Sequence, residues 1–187
     1  MRRPARGRVS TLYSVGHGGR SARELSSLLA DAKVVKLVDV RAVPASRRHP
    51  QFARAPLAAA LEATGIAYDW RGEALGGFRR NGERSPHSAL KQPMFRAYAA
   101  HMDSRRFLAA AAEIARQAAS ERLCFMCAEQ EPSHCHRSLI ADWLVARGHQ
   151  VLHLIAAGEA RAHALNAAAR IAGGRLIYDR GTSGPLF

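Results

Sequence analysis

Cys124-Phe125-Met126-Cys127-Ala128-Glu129-Gln130-Glu131-Pro132-Ser133-His134-Cys135-His136-Arg137-Ser138 is the stretch whose reading decides the fold. The apolar run Leu123 to Cys127 ends in a polar turn, and an amphipathic pattern from Ser138 to Arg147 follows, stopped by Gly148. The order predicts a buried strand, a loop and a helix. Every cysteine of the chain lies in this stretch, beside two histidines, carboxylates and an arginine. Sulfur, imidazole and guanidinium are therefore gathered where a strand hands over to a helix.

Working outward, the same alternation recurs. Gln150 to Ile155 reads as a strand, Ala160 to Ala172 as a last helix, and Arg175 to Phe187 as a tail. Upstream, Phe95 to Met102 and Ser104 to Ala119 read as helices, preceded by a long polar loop over residues 78–92. Loops of that length are usually functional or mobile. Ile66 to Trp70 is a strand candidate, and Pro56 to Thr64 a helix stopped by Gly65. Val34 to Val40 is nearly continuous in β-branched residues, as expected of a strand buried on both faces. Ser21 with Glu24 forms a capping box for a helix carrying Leu25, Leu28 and Leu29. Thr11 to Val15 is a first strand, and residues 1–10 a disordered basic leader.

Strands alternating with helices predict βαβ units, hence a single Rossmann-like three-layer α/β domain over residues 11–187 with a mostly parallel sheet of about five strands. In such sheets ligands bind beyond the carboxyl ends of the strands. That rule places His17, Asp39, Arg41, Glu73, Gly76, Cys127 and Glu129 on one rim.

No apolar run reaches the roughly 18 residues that cross a bilayer, and the basic leader lacks the apolar segment of a secretory signal. A cytoplasmic protein without membrane contact is expected. An odd number of crowded cysteines is no disulfide framework and points to a reactive or metal-binding use. The formal net charge of +13 is almost all arginine, since the only lysines are Lys33, Lys36 and Lys91. Such a field attracts polyanions, nucleic acid or a nucleotide being the first candidates.

Cys135, at a helix start, gains from backbone N–H groups that favour its thiolate, with Cys127 as a resolving or positioning partner. The spacing fits no phosphatase or rhodanese loop, because Arg137 lies only two positions after Cys135. Cys124 and Cys127 make a Cys-x-x-Cys inside a strand, unlike a thioredoxin-type motif. Asp39 and Glu129 are candidates for general acid or base, and His17 stands beside two glycines that let a ligand approach backbone. Arg41, Arg47 and Arg137, with Ser46, Gly76 and Gly77, suit an anion pocket. Cys127, His134, Cys135 and His136 are ligands of the right type for zinc or iron, although adjacent Cys135 and His136 look strained as co-ligands. No cofactor is otherwise predicted, since neither a phosphate loop nor a dinucleotide fingerprint occurs.

Four ordered motifs carry a family resemblance: Val15-Gly16-His17; Val38-Asp39-Val40-Arg41 with Pro44 and Ser46-Arg47; Leu75-Gly76-Gly77; and Met126-Cys127-Ala128-Glu129 with Cys135-His136-Arg137. With them the chain resembles the bacterial and archaeal domain-of-unknown-function family 488 from about Thr11 to Ile155. The resemblance implies a compact α/β fold and no particular activity. One departure is Gly18, where members of that family often carry a serine. The leading expectation is an enzyme acting on a phosphate-bearing substrate, a nucleotide or nucleic acid. The alternatives are a non-catalytic nucleic-acid-binding module and a metal-binding or thiol-redox protein.

Overall fold

The computed structural model describes residues 9–79 and 85–181. Residues 1–8 of the expected leader, 80–84 of the long loop and 182–187 of the tail lie outside the described residues. The elements in order are β1 (Thr11–Gly16), α1 (Ala22–Asp31), β2 (Lys36–Asp39), α2 (Arg54–Glu62), β3 (Ala67–Trp70) and the single turn α3 (Gly72–Leu75). Then come α4 (Pro93–His101), α5 (Arg105–Gln117), β4 (Leu123–Cys127), α6 (Arg137–Val145), β5 (Gln150–Ala156), β6 (Glu159–Ala162), β7 (Ala169–Ala172) and β8 (Arg175–Tyr178).

Six strands form one mixed, mostly parallel sheet in the order β3-β2-β4-β1-β5-β6, with helices flanking it; β7 and β8 make a separate two-stranded ribbon. All pairings from β3 across to β5 are parallel, and only the edge strand β6 runs antiparallel to its neighbour. The expected α/β class and parallel sheet are thus present, with one strand more than expected. Along β4 every residue is buried, and alternate side chains enter different cores. Leu123, Phe125 and Cys127 join Phe107, Ile114 and Leu139, whereas Cys124 and Met126 join Leu25, Leu57 and Leu61. Cys124 and Cys127, an odd number of positions apart, consequently face opposite ways and form no thiol pair.

The capping box at Ser21 and Glu24 is formed, with the Glu24 carboxylate accepting from the Ser21 N–H at 2.6 Å. The region read as a helix over Ala160–Ala172 and a tail from Arg175 is different: it contains β6, β7 and β8. Alanine content suggested a helix, but turn geometry prevails. Gly173 and Gly174 both have positive φ, 56° and 77°, which is the requirement of a two-residue type I′ hairpin between β7 and β8.

The ribbon and β6 are fastened to α6 through a buried polar chain. Asp142 accepts from His163 Nε2 (2.9 Å), from the Asn166 N–H (2.9 Å) and from the Tyr178 hydroxyl (3.0 Å). His163 Nδ1 then meets His153 Nε2 at 2.9 Å, and His153 Nδ1 meets the Ser14 hydroxyl on β1 at 2.9 Å.

Candidate active site

The order of the strands puts the ends of β1, β4 and β2 side by side, and a cavity of about 600 Å³ opens beyond them. It is lined by His17 and Gly18 after β1, by Arg41 to Val43, Ala45, Ser46, Arg48 and His49 after β2, and by Cys127, Ala128 and Glu129 after β4. Gly77, Phe78, Met94 and Phe95 form another wall, and His134, Cys135 and His136 complete it. Parallel strands that end together are what gather these loops.

His17 is held by backbone and ring contacts. Its N–H donates to the Cys127 carbonyl at 3.0 Å, its Nδ1 donates to the Gly18 carbonyl at 3.0 Å, and its ring stacks on Phe52 at 4.2 Å. The remaining nitrogen, Nε2, faces Arg41 Nη1 at 3.4 Å. Burial, aided by the Arg41 charge, lowers its pKa to about 4, so His17 is neutral at ordinary pH. Gly16, just before it, has no room for a side chain, since a Cβ would lie 1.8 Å from the Glu129 carbonyl oxygen.

Asp39 is fully buried and has both oxygens engaged. It accepts from Arg41 Nε (2.9 Å), Arg41 Nη2 (2.6 Å), the Arg41 N–H (3.0 Å) and the Tyr68 hydroxyl (2.7 Å). The pair orients the Arg41 guanidinium toward the cavity, while Asp39 itself does not line it. Arg137 is buried and donates to the carbonyls of Glu129 and, at 2.8 Å, Gln130, tying the loop after β4 to α6. Arg47 is exposed and outside the lining, whereas its neighbour Arg48 is inside it. Ser46 lines the cavity and accepts the His49 N–H at 2.9 Å. Gly76 terminates α3 away from the cavity; Gly77 lies against the His136 ring, where a Cβ would approach Nδ1 to 2.6 Å.

Cys135 has extended backbone angles (φ −132°, ψ 141°), and His136 after it is already helical (φ −55°, ψ −18°). Cys135 Sγ accepts the Arg137 N–H at 3.5 Å, and its carbonyl accepts the Ser138 N–H at 2.9 Å. It therefore lies one residue before His136, the N-cap of α6, with its sulfur on the N–H of the first helical residue, near unpaired N–H groups that favour an anion. The hydrogen bond from the Cys127 thiol, and after it the Arg137 charge and N–H, hold the Cys135 thiol below the usual cysteine range despite burial. The same bond, with burial, pushes the Cys127 thiol up.

The change of backbone direction between Cys135 and His136 lets their side chains converge although they are neighbours in sequence. His136 Nδ1 stands 3.7 Å from Cys135 Sγ and 3.7 Å from Cys127 Sγ. Its Nε2 donates to the Val40 carbonyl at 3.2 Å, which leaves the Nδ1 lone pair facing the two sulfurs. The result is a buried Cys₂His cluster able to hold a metal ion. His134 is exposed and not among its atoms.

Arg48, His49, Phe78 and Met94 were not singled out from sequence. Arg48 and His49 continue the basic run that begins at Arg47, so the run was visible and only its orientation was hidden. Phe78 and Met94 carry no local signal, since exposed apolar residues in a loop and at a helix start are ordinary.

An α/β domain with a cysteine–histidine cluster at its strand ends is the class of protein that this fold and site define. Residues 21–144, more than half of the chain, match the family model described as Domain of unknown function DUF488, and the chain belongs to that family. The match includes Asp39–Arg41, Leu75–Gly77 and the stretch from Cys127 to Arg137; the His17 motif lies just before it. No curated protein and no solved structure matches the chain. Among the described residues, no helix is long and apolar enough to cross a membrane.

The two most shifted histidines predict an acid-labile fold. Burial lowers His17 to about 4 and, with His163 beside it, His153 to about 3, against an ordinary value of 6.5. Below pH 6.5 the unfolded chain binds protons that the native chain refuses, so stability is lost as pH falls from 6.5 toward 4. Each histidine contributes at most about 1.4 kcal/mol per pH unit. Urea midpoints measured between pH 7 and 4.5 should fall with this slope, and His17→Gln should flatten it; a profile that stays level in the wild type contradicts the assignment.

Proposed function

We propose that this protein is an enzyme whose Cys135 attacks an electrophilic centre of a phosphate-bearing substrate, most simply a nucleotide or a nucleotide unit of nucleic acid. The observation that carries this reading is the alignment of Cys135 Sγ, His136 Nδ1 and the Val40 carbonyl at the start of α6. A nucleophile, a base and a group that orients the base are the recurring parts of covalent catalysis. In the reaction the Cys135 proton passes to His136 Nδ1, sulfur bonds to the substrate, and the leaving group departs with its electron pair and that proton. Glu129, which lines the cavity, is suited to direct the water that releases the product.

For the phosphate, the cavity offers Arg48, His49 and the edge of Arg41 not engaged by Asp39. Arg137 has its guanidinium on two carbonyls and supports Cys135 instead. In a Rossmann-like three-layer description of the domain, the cavity occupies the crevice where the chain's strand order reverses, a usual place for nucleotides. The charge of +13 adds long-range attraction for such anions, and three free cysteines suit a reducing, cytoplasmic setting.

Thermal unfolding in the presence of inorganic phosphate, simple phosphate esters and nucleoside monophosphates tests the substrate class. A ligand present at about 100 times its Kd stabilises the native chain by about 2.7 kcal/mol. A rise in melting temperature that Arg48→Ala removes, and that added salt weakens, is expected. Stabilisation by uncharged nucleosides with none from their phosphates would overturn the phosphate reading.

A further inference from the structure

The cluster at the cavity floor has more organisation than a thiol–imidazole hydrogen bond requires. A single Nδ1 lone pair accepts one proton, yet two sulfurs stand at the same 3.7 Å from it, and all three atoms lie within 4.8 Å of one another. Tetrahedral zinc, with bonds of about 2.3 Å to sulfur and about 2.0–2.1 Å to nitrogen, places such ligands about 3.6 Å apart. Zinc-bound imidazoles usually donate their other N–H to a carbonyl or carboxylate, as His136 does to Val40. The Arg137 N–H on Cys135 stabilises a thiolate, the form that a metal needs.

We propose that Cys127 Sγ, Cys135 Sγ and His136 Nδ1 bind one zinc ion whose fourth position opens on the cavity, and that zinc and the Cys135 nucleophile exclude each other. Two thiolates and an imidazole select a borderline-soft divalent ion over magnesium or calcium. On binding, two metal–sulfur bonds and one metal–nitrogen bond form, and the protons of the bound thiols go to solvent. With its sulfur lone pair on the metal and His136 Nδ1 occupied, Cys135 has neither nucleophilicity nor base. The exclusion rests on the reading of Cys135 as nucleophile; the binding does not.

Titration of the reduced full-length chain with Co²⁺, followed by Zn²⁺, tests the site. One cobalt per chain is expected, with a near-ultraviolet sulfur-to-cobalt charge-transfer band and tetrahedral visible bands that zinc abolishes. Cys127→Ser, Cys135→Ser and His136→Ala should each weaken binding by at least about 100-fold, beyond the 10–100-fold that loss of an outer-shell partner costs. Zinc should also suppress iodoacetamide labelling of Cys135, and a chelator should restore it. The absence of a thiolate–cobalt band in the wild type, or binding that persists in the Cys127→Ser/Cys135→Ser double variant, overturns the metal site. Absent cobalt binding with rapid Cys135 labelling would overturn the metal site and leave the nucleophile standing. Tight binding with Cys135 inert in the metal-free chain would instead overturn the exclusion.

Discussion

Cys135→Ser should abolish covalent chemistry at the cavity, lowering kcat on any phosphate ester or nucleotide turned over by the wild type by about 10³-fold or more. The substitution keeps the shape of the side chain and an acceptor for the Arg137 N–H, so the fold should survive. What it removes is the thiolate, which a hydroxyl with its far higher pKa does not replace in this setting. Because the Cys127 hydrogen bond is the largest influence holding the Cys135 thiol down, the partner position should respond to chemistry rather than to size. Cys127→Ser retains a donor and should cost within about 10-fold, whereas Cys127→Ala removes it and should shift the acid limb of the kcat profile upward. In both, KM should be nearly unchanged, since the proposed phosphate contacts are Arg48 and His49, not the cysteines. A Cys135→Ser variant with wild-type kcat would exclude the thiol from the proposed chemistry.

Asp142→Ala should produce a large loss of stability although the residue lies outside the cavity. Its carboxylate is buried and receives three donors, from His163, Asn166 and Tyr178. The Tyr178 hydroxyl is itself enclosed and is pushed up in pKa by burial and by the neighbouring Asp142. Removing the acceptor leaves these donors unpaired and breaks the chain that runs through His163 and His153 to Ser14. Loss of a buried polar hub costs about 3–5 kcal/mol. Asp142→Asn, which keeps an acceptor oxygen, should cost roughly half as much. Urea unfolding monitored by Trp143 fluorescence reads both; a loss below about 1 kcal/mol for the alanine variant would show that the ribbon does not depend on this anchor.

The fold was largely legible because its strongest signals are local. The capping box at Ser21 and Glu24 and the apolar run from Leu123 to Cys127 each fix an element by its own residues. Ala160 to Ala172 misled because alanine favours a helix wherever nothing else competes, and there the Gly173–Gly174 turn and the pairing of β6 with β5 do compete. Within the cavity, strand ends were enough to bring His17, Arg41, Cys127 and Glu129 to one rim. Side-chain commitments were not readable. Asp39 could be seen as a carboxylate near an arginine, but not that Tyr68 and Arg41 together engage both of its oxygens. The choice of Arg48 over Arg47 turns on one residue of loop geometry. The convergence of Cys135 and His136 depends on a single change of backbone angle, and no spacing rule encodes it.

The central claim is that Cys135 is the activated thiol of this protein. Its most direct test is the pH dependence of iodoacetamide labelling in the reduced, metal-free chain, with each cysteine followed by mass spectrometry. Cys135 should be labelled first, with a midpoint below the ordinary cysteine range, while Cys127 and Cys124, both pushed up, react only after unfolding. Labelling of Cys127 ahead of Cys135, or a Cys135 midpoint at or above the ordinary range, would contradict the account.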